Sequence, residues 1–184
     1  MSNHIKAQPK GLDIVIQKVQ NALYKCLVDN GTNSIWFNSL LDAYGRCYIT
    51  DCDGKKDIEH FINKNDYKTV LFSEGNKFFF VSEYEVEHVN NSFYKSFIDL
   101  YFVLNIAKIK TAIPHRADEE VRVDVLKALN NVSEVNVSSV ETNISSIFNG
   151  FVWDKKEIDG MQPYHIFKIK LETVPYNIND TYCN

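Results

Sequence analysis

Phe97-Ile98-Asp99-Leu100-Tyr101-Phe102-Val103-Leu104-Asn105-Ile106-Ala107-Lys108-Ile109 decides the architecture. Apolar side chains stand at both parities of a two-residue repeat: Phe97, Tyr101 and Val103 on one side, Ile98, Leu100, Phe102 and Leu104 on the other. A strand that is apolar on both faces needs a cover on each, so the run predicts a central strand between two layers. Asp99, Asn105 and Lys108 interrupt it, and it is too short and too polar to cross a bilayer.

Upstream, Thr69-Val70-Leu71-Phe72 and Lys77-Phe78-Phe79-Phe80-Val81 flank Ser73-Glu74-Gly75-Asn76, which predicts a β-hairpin. Tyr44 to Ile49 predicts a strand that ends in the turn signal Asp53-Gly54. The segment 51–68 mixes both signs of charge in Asp51, Asp53, Lys55, Lys56, Asp57, Glu59, Lys64 and Asp66. It is expected to be a long solvated loop. Glu83 to Ser92 is polar and fits neither period. Downstream, Val135 to Val140 predicts a strand, as does Tyr164 to Leu171. In the latter one parity lines the core and the other carries Lys168 and Lys170.

Helices frame these strands. Leu12, Ile16, Val19, Leu23 and Cys26 recur at steps of three and four, which predicts an amphipathic helix from Leu12 to Val28, stopped by Asn30-Gly31. Ser34 to Ala43 predicts a second, shorter helix. Ala117 to Leu129 predicts a third, with Val121, Val125, Leu126 and Leu129 as its buried stripe and Asp118, Glu119 and Glu120 at its positive end. Ile144 to Phe151 is a short helical or irregular piece. Strands grouped among two to three helices imply an α+β fold with a largely antiparallel β-sheet. Residues 1–10 read as a flexible N-terminal arm, 11–172 as a single α+β domain, and 173–184 as an exposed C-terminal tail.

The 184 residues are 45% hydrophobic and 24% charged, which excludes wholesale disorder, collagen and coiled-coil classes. Net charge is -4 and arginine occurs only at 46, 116 and 122, so no global basic field exists to hold a nucleic acid backbone. The N-terminal stretch lacks an apolar signal region, and Cys26, Cys47, Cys52 and Cys183 form no metal-binding spacing. Free thiols in a reducing cytosol are expected.

Catalytic motifs are not found. Asp51-Cys52-Asp53-Gly54 resembles the start of a calcium loop, but Ile49 and His60 stand where ligands are needed, so the segment reads as a turn. His4, His60, His88, His115 and His165 have no local partner at ligand or catalytic spacing. Neither a nucleophile elbow nor a phosphate-cradling glycine pattern is present. The chain therefore reads as a non-enzyme with no metal and no cofactor. Aromatic rings interleave with aliphatics, which suits a core and a subunit interface better than a single-strand nucleic acid reader.

The order of motifs carries a resemblance. An N-terminal helix is followed by Tyr44-Gly45-Arg46, the apolar run from Phe97, the charged helix Arg116-Ala117-Asp118-Glu119-Glu120, and Met161-Gln162-Pro163-Tyr164-His165-Ile166-Phe167. Over roughly residues 11–172 this resembles small head-to-tail joining proteins of tailed bacteriophages, especially those of the crAss-like phages of gut Bacteroidetes. It is similar as well to the broader tail-completion or tail-terminator class. The resemblance implies a virion structural protein assembled in the host cytoplasm, one subunit of a homo-oligomeric neck ring. That ring joins portal to tail and lines or seals the channel through which genomic DNA passes without sequence-specific binding, and no membrane is involved. By motif, Arg116, Asp118, Glu119, Glu120 and Arg122 match the family's charged helix, while Tyr164 and His165 match its final strand.

The expected subunit contacts are Asp51, Asp53, Lys55, Lys56, Asp57 and Glu59 in the loop, and Arg116, Asp118, Glu119, Glu120 and Arg122 on the helix. Mixed charge fixes register between copies better than it grips DNA. The alternative is a cytosolic acidic α+β binding protein of immunity or antitoxin type, which needs one acidic face instead of two complementary patches.

Overall fold

The computed structural model describes residues 2–29, 35–36, 40–52, 54–63, 66–71, 75–90, 92–111, 117–149, 151 and 164–177. In chain order the elements are β1 (Ser2–His4), α1 (Leu12–Tyr24) with a π-helical turn over Lys25–Asp29, β2 (Leu41–Cys52), β3 (Lys55–Asn63), β4 (Asp66–Thr69), β5 (Asn76–Asn90), β6 (Phe93–Asn105), α2 (Ile106–Ile109), α3 (Asp118–Leu129), β7 (Val135–Glu141), α4 (Ile144–Ile147), β8 (Tyr164–Thr173) and β9 (Tyr176–Asn177). Among the described residues nine strands make one sheet in the order β4-β3-β2-β5-β6-β8-β7, with β1 added to β2 and β9 to β6. β2 pairs in parallel with β1 and β5, and every other pairing is antiparallel. The fold is α+β and mostly sheet, as the sequence implied.

β6 is the central strand that its two apolar parities required. Leu100, Phe102 and Leu104 face one core, together with Val19 and Leu23 of α1 and Val121 and Val125 of α3. Tyr101 and Val103 face a second core that includes Ile147 and Phe148 at the end of α4 and Val70 and Leu71 after β4. Stacked rings run through both layers: Phe102 on Phe167 at 4.8 Å and Phe79 on Tyr101 at 5.1 Å between centroids. The strand ends before the apolar run does, because Asn105, the last residue of β6, accepts from Lys108 N at 3.3 Å and caps the single turn of α2.

Several expectations need correction. The segment 51–68 is not a loop: it forms the end of β2, all of β3 and most of β4. Its described charges belong to a hairpin in which Asp51 stands opposite Lys56 and, among the described side chains of β3, only Ile58 is fully buried. Gly54, at φ 77°, turns the chain where Asp53-Gly54 signalled a turn, and Gly54 N donates to Asp51 Oδ1 at 3.0 Å. The hairpin expected from 69–72 and 77–81 does not form, since β3 and β2 lie between β4 and β5. Val70 and Leu71 pass instead into the second core, and β5 runs parallel beside β2.

The short helix expected over Ser34–Ala43 gives way to β2, in which Leu41 and Ala43 alternate with Asp42 against β5. Ser34 and residues 37–39 of that reading lie outside the described residues, as do Asn30 and Gly31. Neither terminus is wholly loose, because Ser2–His4 pairs with β2 and Tyr176–Asn177 with β6. Glu83 to Asn90 continues β5. Lys168, expected on an outer face, is buried between Asp99 and Glu141, 3.2 Å from an oxygen of each. On α3, Leu126 sits at the rim and Ala128 takes its place in the buried stripe.

Candidate functional site

Two ladders meet the same side of β2. β1 pairs with Asp42 to Tyr44, β3 pairs with Cys47 to Cys52, and β5 occupies the other side. Gly45 and Arg46 fall between the two ladders, where β2 also carries a bulge against β5. The bulge reverses the alternation: Tyr44 and Cys47 both join the second core, and Arg46 turns to the α1 side. At this gap opens a groove of about 760 Å³, walled by β1 and the residues after it, by α1, by β2 and by β3. That volume lies within the usual range for ligand sites.

The groove is held together by a buried glutamine. Gln20 Nε2 donates to the carbonyls of His4 and Ala43 at 3.0 Å each and lies 2.8 Å from Asn3 Oδ1, which ties β1 to α1 and β2. Gly45 makes room for it, because a Cβ there stands 3.0 Å from Gln20 Oε1. His4 stacks flat on Tyr44 at 4.3 Å, and His60 meets the same ring edge-on at 5.3 Å. Lys68 Nζ donates to Tyr44 Oη at 3.1 Å. Burial pushes both histidines below their ordinary pKa, and Lys68 lowers each further. Lys77, adjoining this cluster on β5, is pushed down to about 8, mainly by burial and also by Lys68, against the pull of Asp42.

On the α1 side the groove is charged. Lys6 pairs with Asp13 Oδ2, and Arg46 Nη1 lies 3.7 Å from Asp13 Oδ1. Four groove residues carry a buried side-chain atom that lacks a hydrogen-bond partner among the described residues: Asp13 Oδ1, Gln17 Oε1, Arg46 Nε and His60 Nδ1. Buried polar atoms are seldom left so in folded proteins, and a bound water, ion or ligand is their usual partner. Lys6, Arg46 and Lys68 outnumber Asp13, so the groove is basic although the chain carries -4. The histidines with no local partner thus find one through the fold. Only Tyr44-Gly45-Arg46 carries a sequence signal here, and what it signals is the opening of a strand.

The expected contact residues lie elsewhere, in two sets. Asp51, Lys55, Lys56, Asp57 and Glu59 belong to the β2–β3 hairpin, and Asp57 Oδ1 accepts from Ile58 N at 2.7 Å. Asp118, Glu119, Glu120 and Arg122 occupy the first two turns of α3, where Arg122 pairs with Glu119 and Asp118 stands 3.6 Å from His165 Nδ1. Asp53 and Arg116 lie outside the described residues, as does His115. The sets are at opposite ends of the sheet. His165 is opposite Leu104, beside the level where β2 begins, and the hairpin turns where β2 ends. Among the described residues no three His, Cys, Asp or Glu side chains group to hold a metal ion, and no helix is long and apolar enough to cross a membrane. No family model matches the chain, and neither a curated protein nor a solved structure matches it.

Proposed function

We propose that the protein is a virion structural subunit, one copy of a homo-oligomeric ring in the neck of a tailed bacteriophage, joining portal to tail and lining or sealing the DNA channel. The observation that carries this reading is the asymmetry of the two sheet edges. β4 is a four-residue edge with charges at Asp66 and Lys68. β7 at the other edge is seven residues long, uncharged from Val135 to Val140, and exposed from Asn136 to Val140. A long uncharged edge is a template for another strand, whereas a short charged edge resists its own kind. Unlike edges favour head-to-tail addition of copies, which closes into a ring when the rotation permits.

Charge supports the same reading. The hairpin set and the α3 set lie at opposite ends, so one copy offers two different patches to its neighbours above and below. Three arginines and a net charge of -4 suit a bore through which DNA slides, since many phosphate contacts would hold it. No catalytic step is assigned. The test is incorporation into particles and binding to the portal protein. Reversing Lys55 and Lys56 to glutamate, or Arg116 and Arg122 to glutamate, is expected to lower both, most strongly at low salt, where exposed charges are least screened. Unchanged incorporation for both pairs sinks the charged-contact half of the proposal. A one-to-one complex of the monomer with a basic protein would favour the immunity-type reading instead.

A further inference from the structure

We infer that the groove between β1 and β3 binds the zwitterionic head of an α-amino acid with an apolar side chain. Asp13 and Gln17 stand one helical turn apart on the same face of α1, and each carries a buried oxygen without a hydrogen-bond partner among the described residues. Both are acceptors, and an ammonium group supplies the donors they lack. Arg46 lies beside Asp13, its Nη1 3.7 Å from Asp13 Oδ1, and its Nε has no acceptor among the described residues. Guanidinium edges match carboxylates better than any other anion acceptor on the chain. An acceptor pair adjoining a guanidinium is thus complementary to an ammonium and a carboxylate joined through one carbon.

The other cations of the groove have partners already. Lys6 pairs with Asp13 Oδ2, and Lys68 donates to Tyr44 Oη. Arg46, whose ion pair with Asp13 is the longer one at 3.7 Å and whose Nε has no hydrogen-bond acceptor among the described residues, is the anchor for the anionic end. The remaining wall is apolar, with Ile5, Ile16, Phe61 and Ile62 among the lining residues, and Ile5 and Ile62 are about half exposed at 52% and 49%. An aliphatic or aromatic side chain covers that surface. His60 Nδ1, donor or acceptor according to tautomer, is the fourth such atom among the residues lining the groove.

The test is a titration of the full chain followed by amide chemical shifts. The probes are L-leucine, acetate for the carboxylate alone, and 3-methylbutylamine for the amine alone. Leucine is expected to shift the Gly45 and Arg46 amides and to bind at least roughly tenfold more tightly than either fragment. Gln17→Leu leaves Arg46 and the β1 contacts in place and is expected to weaken leucine by about tenfold while acetate is unaffected. No shift with leucine up to about 10 mM overturns the inference. Equal affinity for acetate and leucine overturns it too, since the groove then takes an anion only. Because the fragments are compared on the unaltered protein, a variant that fails to fold does not leave the question open.

Discussion

Lys77 shows what one misplaced charge does. It is 1% exposed beside Asp42, and burial lowers its pKa to about 8 from the ordinary 10.5. Between those values the unfolded chain holds a proton that the folded chain has lost, so stability from this group rises as pH climbs from about 8 to 10.5. Lys77→Met removes the cost. Its stabilisation over wild type is expected to be largest at pH 7 and to shrink by on the order of 3 kcal/mol by pH 10.5, as measured by denaturant melts. An offset independent of pH contradicts this. His4 and His60 obey the same sign: their folded values are depressed, so their contribution is complete above 6.5 and is lost as pH falls below it. Gly45 is the second sensitive residue. Gly45→Val drives Gln20 from its three contacts, at an expected cost of about 1–3 kcal/mol and with faster amide exchange over residues 2–4. Wild-type exchange there would falsify the assigned role of Gln20.

At the scale of elements, α1 and α3 cover one face of the sheet and differ in how sharply single residues matter. Leu23 is fully buried, so Leu23→Ala is expected to cost about 2–5 kcal/mol in urea melts. Leu126 packs only partly against the core, so its truncation is expected to cost less than half as much. Equal costs contradict the helix orientation. Edge strand β7 gives the assembly prediction: Val137→Lys with Val140→Lys, both nearly 40% exposed, leaves the fold intact and blocks subunit addition. What was legible in the sequence follows from periodicity. β6, α1, α3 and β8 each carry an apolar pattern that only one geometry satisfies. β3 carries almost none, since among its described side chains Ile58 alone is fully buried, and it is held by pairing with β2 on one side and β4 on the other. A spacing rule reads such a segment as loop. The groove was hidden for another reason: His4, Tyr44 and His60 are brought together by β1 and β3 flanking the same strand, a long-range event that no local window contains.

For the whole molecule, the two layers over an open sheet leave two unlike edges, and the charged sets expected to make contacts lie at its two ends. On the proposed reading, a copy built this way would meet its neighbours by repetition in one direction, not by a twofold meeting of like surfaces. The groove stands apart from both edge strand β7 and the α3 end, so a ligand there and a ring are compatible. Native mass spectrometry of the purified chain, alone and mixed with portal protein, tests the ring most directly. The expected result is a closed homo-oligomer of more than two subunits with a single stoichiometry, lost on introducing Val137→Lys and Val140→Lys. A chain that remains a monomer or a symmetric dimer in both samples contradicts it.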